Sequence, residues 1–403
     1  MTRKSLKFLH LADLHLGRGF SGGRLKLPYE KARKRVREQR NILAMAVEQA
    51  REAAVDIILI AGDLWEESRL AQDTVAFVMD TLGAAGVPVV ISPGNHDYHA
   101  PGSHYSDEIT EITIKRRWPD NVFIVRDYDF THFQPPGLEG VVITGIAYHS
   151  NQPDGKRRFG VELKPPEADI RICVVHGSRD DHLPAGKMIT MPFSDAELLA
   201  QPFDYIALGH YHRSSMIRDE KGMVRAAYPG SACALAVDET GPHGCIIGTV
   251  HPGGVHPSEI ALKPLDTRRI HRLMVDVSGL QHIEAVEAKI SEELKLNKVG
   301  SQDMALVELT GTYPGGGRME FAEPFINESC FHLQIDCSSV RPEWDIDDGG
   351  VGQPLTTEGI FRERMKRMIE EALGRNDTSE AARLQNALYY GLDALHNKPI
   401  TPR

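Results

Sequence analysis

At 403 residues the chain is long for one hydrophobic core, so two or three domains are expected, and its 41% hydrophobic and 25% charged residues are those of a soluble globular protein. The net charge of -10 does not suggest a nucleic-acid binder, no apolar run reaches the length of a membrane span, and the start Met1-Thr2-Arg3-Lys4 lacks the apolar core of a signal peptide. Five cysteines, odd in number and without a C-x-x-C pair, argue against a disulfide framework and a Cys-based zinc site, and point to a reducing cytoplasm.

In chain order, the apolar run LKFLHLA at 6–12 predicts a buried strand that delivers Asp13-Leu14-His15. Residues two apart on extended backbone point the same way, so Asp13 and His15 can share one ligand. A basic segment follows, holding Arg24, Lys26, Lys31, Arg33, Lys34, Arg35, Arg37 and Arg40 against Glu30 and Glu38. Such a run reads equally as a phosphate-binding face or as the solvated face of a helix, and Val36, Ile42, Leu43, Ala46, Val47 and Ala50 do recur at helical spacing.

A second strand, 56–61, delivers Gly62-Asp63, and a helix over 72–82 leads to a third at 87–91. That strand stops at a Pro-Gly breaker and presents Asn95, His96 and Asp97. Taken singly, Asp63 reads as a helix N-cap and Asn-His-Asp as an Asx-turn. Strand-like segments at 121–125 and 140–148 precede a buried strand at 170–175, which delivers His176-Gly177. The strand at 205–208 then delivers Gly209-His210-Tyr211-His212, again with two side chains in register.

Five strand ends thus present Asp13, His15, Asp63, Asn95, His96, His176, His210 and His212. Loops at the carboxyl ends of strands are where open α/β sheets place their chemistry. Carboxylate, amide and imidazole together suit Mn²⁺, Fe²⁺ or Zn²⁺. The set is large enough for two ions, which in hydrolytic sites lie roughly 3.5–4 Å apart.

The ordered set D-L-H, G-D, G-N-H-D, H-G and G-H-Y-H resembles the calcineurin-like metallophosphoesterase superfamily. Within it, LADLHLGRGF, AGDLWEES, SPGNHD and the YPGS of Tyr228–Ser231 resemble SbcD-type DNA repair exonucleases, over roughly residues 6 to 250. The resemblance implies Asp13, His15 and His212 on one metal and Asn95, His176 and His210 on the other. Asp63 would bridge them, with His96 left to face the scissile phosphate. It further implies two divalent ions, most simply Mn²⁺, and a phosphodiesterase that hydrolyses DNA with a metal-bridging water, in double-strand-break repair. An SbcC-type ATPase subunit would be the partner, and a homodimer is compatible with it. A small-molecule phosphodiesterase or phosphatase with the same metal core is the alternative.

The implied fold is α/β: two packed mixed β-sheets flanked by helices, a smaller α+β capping domain and a C-terminal helical pair. The expected boundaries are 1–265 for the catalytic domain, 266–345 for the capping domain and 346–403 for linker and helices. In the capping region an alternating strand (Leu273, Val275, Val277), a helix over 281–295 and a strand over 304–310 are expected. The loop at 313–317 lacks the Gly-Lys-Ser/Thr of a phosphate-binding loop. After a polar linker at 345–350 and Pro354, helices over 358–373 and 379–395 carry two apolar stripes. One is Phe361, Met365, Met368 and Ala372, the other Leu384, Leu388, Leu392 and Leu395. They are expected to dock the ATPase, or else to pack on the capping domain. Arg33, Lys34 and Arg35 are the expected DNA contacts.

Overall fold

The computed structural model describes the chain apart from residues 1–2, 24, 68–69, 153–154, 181, 183–187, 315–318, 343–355 and 396–403. Arg24, most of the 313–317 loop and the linker at 345–350 with Pro354 lie outside the described residues. The chain divides into two compact units, Met1–Arg269 and Ile270–Arg403.

The first unit opens with β1 (Leu6–Leu11), α1 (Tyr29–Glu52), β2 (Ile57–Ala61), α2 (Gln72–Gly83), β3 (Val89–Ser92), α3 (Asp107–Thr113) and β4 (Val122–Ile124). These four strands are mutually parallel. Then come β5 (Thr131–Phe133), β6 (Val141–Gly145), β7 (Ile170–His176), α4 (Asp195–Leu199) and β8 (Tyr205–Gly209), with β6, β7 and β8 parallel. The unit closes with β9 (Ser215–Arg218), β10 (Val224–Tyr228), β11 (Gly244–His251) and β12 (Gly254–Pro264).

The twelve strands follow one hydrogen-bonded order, β4-β3-β2-β1-β11-β12-β10-β8-β7-β6-β5, with β9 on β10. Between β12 and β10, however, the register holds one pair, Val255 with Val224. At that weak joint the order folds over, giving the expected two mixed sheets face to face, with β2 packed on β7 and β8. Alternate residues from both halves fill the space between: Leu6, Phe8, Ile57 and Leu59 from one, Ile170, Ile172, Val174 and Tyr205 from the other. Every residue of β2 is buried, because a parallel strand inside such a stack is covered on both faces. Each fully buried Leu, Ile or Phe side chain contributes about 1.5–3 kcal/mol.

The fold places the carboxyl ends of β1, β2 and β3 on one sheet opposite those of β7 and β8 on the other. The five ligand-bearing loops therefore come from facing edges. No single strand could supply them.

Helix α1 is longer than a solvated basic run requires. Its buried face carries the expected Ile42, Leu43, Ala46, Val47 and Ala50, but also two polar side chains, Arg35 and Gln39. The Arg35 guanidinium is fully buried and bonds Asp266 (2.8 Å) and the carbonyl of Ala234 (3.0 Å). The expectation that Arg35 contacts DNA is thereby corrected: it is committed to a buried ion pair and presents no donor to solvent. Arg33 and Lys34, on the same turn, are exposed.

The second unit holds β13 (Ile270–Asp276), α5 (Ile283–Leu296), β14 (Met304–Tyr313), α6 (Glu323–Glu328) and β15 (His332–Pro342), followed by α7 (Thr357–Gly374) and α8 (Thr378–Leu395). The three strands are parallel, in the order β13-β14-β15. Val286, Ile290 and Leu294 of α5 pack on Leu273, Val275, Val307 and Leu309. The two apolar stripes of the helical pair meet each other through Phe361, Met365, Leu384, Leu388 and Leu392, whereas Met368 and Leu395 stay exposed. Thr356 caps α7 by accepting from the Gly359 N–H at 3.0 Å. Strand β15, whose Leu333, Ile335 and Cys337 alternate with polar residues, and the β9–β12 run lie outside the elements expected from the sequence. Among the described residues no helix is long and apolar enough to cross a membrane.

Candidate metal centre

The site begins with backbone conformation. Asp13 (φ 51°), His15 (φ 49°), Asp63 (φ 51°) and His210 (φ 117°) all hold positive φ, which side-chain-bearing residues rarely adopt. Such strain persists only where surrounding bonds over-determine it. Here the Asp13 N–H donates to the Gly62 carbonyl (3.1 Å) and the His15 N–H to the Asp63 carbonyl (2.9 Å), stitching the first loop to the second. Gln39 of α1 donates to the carbonyls of both Leu14 (2.8 Å) and His15 (3.0 Å). The His210 N–H donates to the Asp13 carboxylate at 3.0 Å, tying the two facing sheets together.

Two glycines make this convergence feasible. A Cβ on Gly209 would lie 1.7 Å from the Ala61 carbonyl oxygen, and one on Gly94 would lie 2.3 Å from Asp63 Oδ1. Those spaces are filled by the neighbouring loop, so only glycine fits.

Five of the seven expected ligand residues share donor clusters; Asn95 lies against His176, and His210 sets its Nε2 3.0 Å from the Met188 carbonyl. Asp13, His15 and His212 form one cluster of donor atoms; Asp13, Asp63 and His176 form another. His176 Nε2 lies 3.1 Å from Asn95 Oδ1 and 3.3 Å from Asp63 Oδ2. His15 Nε2 lies 3.7 Å from that same Asp63 oxygen and 4.0 Å from Asp13 Oδ1. The other Asp63 oxygen accepts the His96 N–H at 3.0 Å. The rings of His176 and His210 lie 5.2 Å apart, as do those of His15 and His212.

These residues fit a metal pair. Both ring nitrogens of His15 are buried without a hydrogen bond among the described residues, although the carboxylates of Asp13, Asp63 and Glu66 face them. Two donors each about 2.1 Å from one ion lie about 3.0–3.4 Å apart at tetrahedral or right angles, close to the separations seen here. The electrostatics agree. Burial alone would raise the Asp63 carboxyl, but the imidazoles of His176, His15 and His96 outweigh it and hold that carboxyl well below the usual carboxylate range. Burial likewise lowers His176, and the Asp63 charge overrides it, raising the imidazole to about 9. Negative charge is thus concentrated strongly enough to favour a cation at the heart of the site.

His96 is exposed at the mouth of the site, with its ring 4.8 Å from that of His15. Its Nδ1 lies 3.1 Å from the Glu66 carbonyl, so that nitrogen carries the proton.

Sequence reasoning missed four supporting residues. Asp97 accepts from the N–H groups of Asp63 (3.1 Å), Leu64 (2.7 Å) and Gly94 (2.6 Å) and from the Tyr105 hydroxyl (2.5 Å). It locks the Asp63 loop to the Asn95 loop. Glu66 Oε2 lies 2.8 Å from His15 Nδ1, and Glu239 Oε1 lies 2.6 Å from His212 Nδ1. Gln39 is the fourth. Asp97 and Glu66 stood inside quoted motifs; Glu239 and Gln39 had no local signal, since each is recognisable only through the loop it contacts.

Residues 6–214 match the model of the calcineurin-like phosphoesterase family, and the chain belongs to that family. With its clustered metal-binding residues, it is a metal-dependent phosphoesterase. Among individual proteins, it is 29% identical to the uncharacterized metallophosphoesterase YhaO of Bacillus subtilis, over 77% of this chain and 72% of that one. It is 24% identical to the DNA double-strand break repair protein Mre11 of Methanopyrus kandleri, over 95% of this chain and 81% of that one. A dimetal phosphatase from Danio rerio covers 66% of this chain and 100% of its own at 15% identity, with a TM-score of 0.36, too low for a comparison of folds.

Proposed function

We propose that the protein is a two-metal phosphodiesterase of the SbcD type that cleaves DNA, with Mn²⁺ as its working ion and an SbcC-type ATPase as its partner. The reading rests on one observation above all: carboxylate and imidazole donors from facing sheets cluster beside an exposed His96. Asp13, His15 and His212 would hold one ion, Asn95, His176 and His210 the other, with Asp63 shared. When bound, two divalent ions polarise a phosphoryl oxygen and bring a water to a nucleophilic state near neutral pH.

The chain's own residues do the rest. Asp63 presents one oxygen to both donor groups while the His96 N–H fixes the other. His96 donates its Nδ1–H to the Glu66 carbonyl, so its Nε2 can donate to a leaving oxygen only as the imidazolium. Its exposure leaves room for a polymeric substrate. The similarity to the Methanopyrus protein named for DNA double-strand break repair runs over nearly the whole chain and so includes the second unit. The exposed Ile360, Met368, Leu373 and Leu395 of the helical pair supply an apolar surface for the ATPase. Five free cysteines suit a reducing cytoplasm. A capping domain over 266–345 would shape the DNA path.

The small-molecule alternative gains from the burial of Arg35 and from the net charge of -10. Purified protein with Mn²⁺, offered duplex DNA and bis-p-nitrophenyl phosphate side by side, decides between them. Cleavage of both is expected; hydrolysis of the small diester alone sinks the DNA reading. The basic helix gives a finer test. Arg33, Lys34 and Arg37 remain exposed on α1. Replacing all three by Ala should flatten the dependence of log K on log salt for duplex DNA by up to about 3 units.

A further inference from the structure

We infer that the two ion positions are unequal, the Asp13–His15–His212 position being the tight one, and that Glu239 and Glu66 are the positioning residues that make it so. The inference rests on the two-metal reading above. It comes from what stands behind each ligating imidazole.

Both histidines of the first position have a carboxylate at their far nitrogen: Glu239 at 2.6 Å from His212 Nδ1, Glu66 at 2.8 Å from His15 Nδ1. A carboxylate there fixes the proton on Nδ1, turns Nε2 toward the ion and makes the imidazole a stronger donor. At the second position His176 Nδ1 faces a neutral backbone carbonyl, that of Ala61, at 3.1 Å. Its companion Asn95 is an uncharged amide. Asp13 has donor atoms near both groups, and Asp63 is common to both. The difference between the two positions therefore lies in the carboxylates behind the His15 and His212 imidazoles.

Glu239 is itself held. Its Oε2 accepts from the Leu235 N–H (2.8 Å) and from the Ser231 hydroxyl (3.3 Å), and that hydroxyl also lies 3.0 Å from His243 Nδ1. The YPGS stretch thereby acquires a physical role, since its serine fixes the carboxylate that orients His212. Glu66 is steadied by Arg18, whose Nη1 lies 3.3 Å from Oε1. Donor atoms of His15, Glu66 and His96 also lie close enough to suggest a third ion position. The 2.8 Å separation of His15 Nδ1 and Glu66 Oε2 is shorter than the about 3.0–3.4 Å between two donors of one ion, so Glu66 acts through the charge it sets against His15.

The test is a Mn²⁺ titration of the metal-stripped full chain, reading free ion by electron paramagnetic resonance and heat by calorimetry. Wild type should show two affinity classes. Glu66→Gln and Glu239→Gln should each weaken the tight class by about 10–100-fold and leave the weak class in place. Ser231→Ala should shift the tight class in the same direction by less. Asn95→Ala should remove the weak class. Two equal classes in wild type, loss of the tight class on Asn95→Ala, or equal weakening of both classes by the Glu variants would each overturn the inference. Wild type that binds no Mn²⁺ overturns the metal reading along with it. Glu66→Gln keeps the test decisive if Glu239→Gln fails to fold, because Glu66 lies at the site's edge and outside the apolar core.

Discussion

The two units bury different things. In Met1–Arg269 the interior holds Asp13, His15, Arg35, Gln39, Asp63, Asn95, Asp97, His176 and His210 beside its aliphatic core. In Ile270–Arg403, among the described residues, Asp393 is the one buried polar or charged side chain. Both units are built from strands and amphipathic helices, with mixed sheets in the first and parallel strands in the second, so element type does not account for the difference. Buried polar groups are costly unless paired, and they persist where function requires them. The first unit keeps such groups through mutual pairing and, on the proposed reading, through cations. The second is held by ordinary apolar packing.

The largest effect should come from breaking the polar interior at its shared carboxylate. Asp63→Asn removes the negative charge common to both ion positions, so both Mn²⁺ classes should weaken together. Activity on a small diester should fall beyond the about 10–100-fold typical of residues outside the ligand set. Two ions retained at wild-type affinity would show that Asp63 does not bridge. His96→Ala comes next: turnover should drop by about 10²–10⁴-fold with metal content unchanged, and near-normal turnover removes His96 from the reaction.

Asp266→Ala tests the buried charges that serve structure. It strands the Arg35 guanidinium in the interior and should cost about 3–5 kcal/mol in denaturant unfolding. A loss below about 1 kcal/mol would mean that the pair contributes little. In the apolar unit, Leu309→Ala should cost about 2–5 kcal/mol and leave the Mn²⁺ titration untouched. A changed titration would contradict the contrast between the units.

The last effect is a pH dependence. His10 is fully buried beside Tyr205, and burial lowers its imidazole to about 3. The unfolded chain, with its ordinary value near 6.5, binds the proton first. His10 thus contributes stability that is fully present above about pH 6.5 and declines as pH falls toward about 3, amounting to about 3 kcal/mol by pH 4. A His10→Phe variant should show a shallower loss of thermal stability between pH 7 and 4. An equally steep curve would place the acid sensitivity elsewhere.

Sequence alone determined the strand ends, because an apolar run stopped by Gly and followed by Asp, Asn or His is a local signal. It pointed to the chemistry too, since carboxylate, amide and imidazole gathered at strand ends suit divalent cations. Helix limits were legible for the same reason: 72–82, 281–295 and 358–373 were expected, against Gln72–Gly83, Ile283–Leu296 and Thr357–Gly374 observed. Tertiary structure decided what depends on partners distant in the chain. Arg35 reads as one more positive charge in a basic run, and becomes a structural ion only because Asp266, 231 residues later, lies against it. Glu239 reads as an ordinary surface acid until the loop after β10 brings it to His212. Periodicity reports which face of an element is apolar; it carries no information about which charge from another element will meet that face.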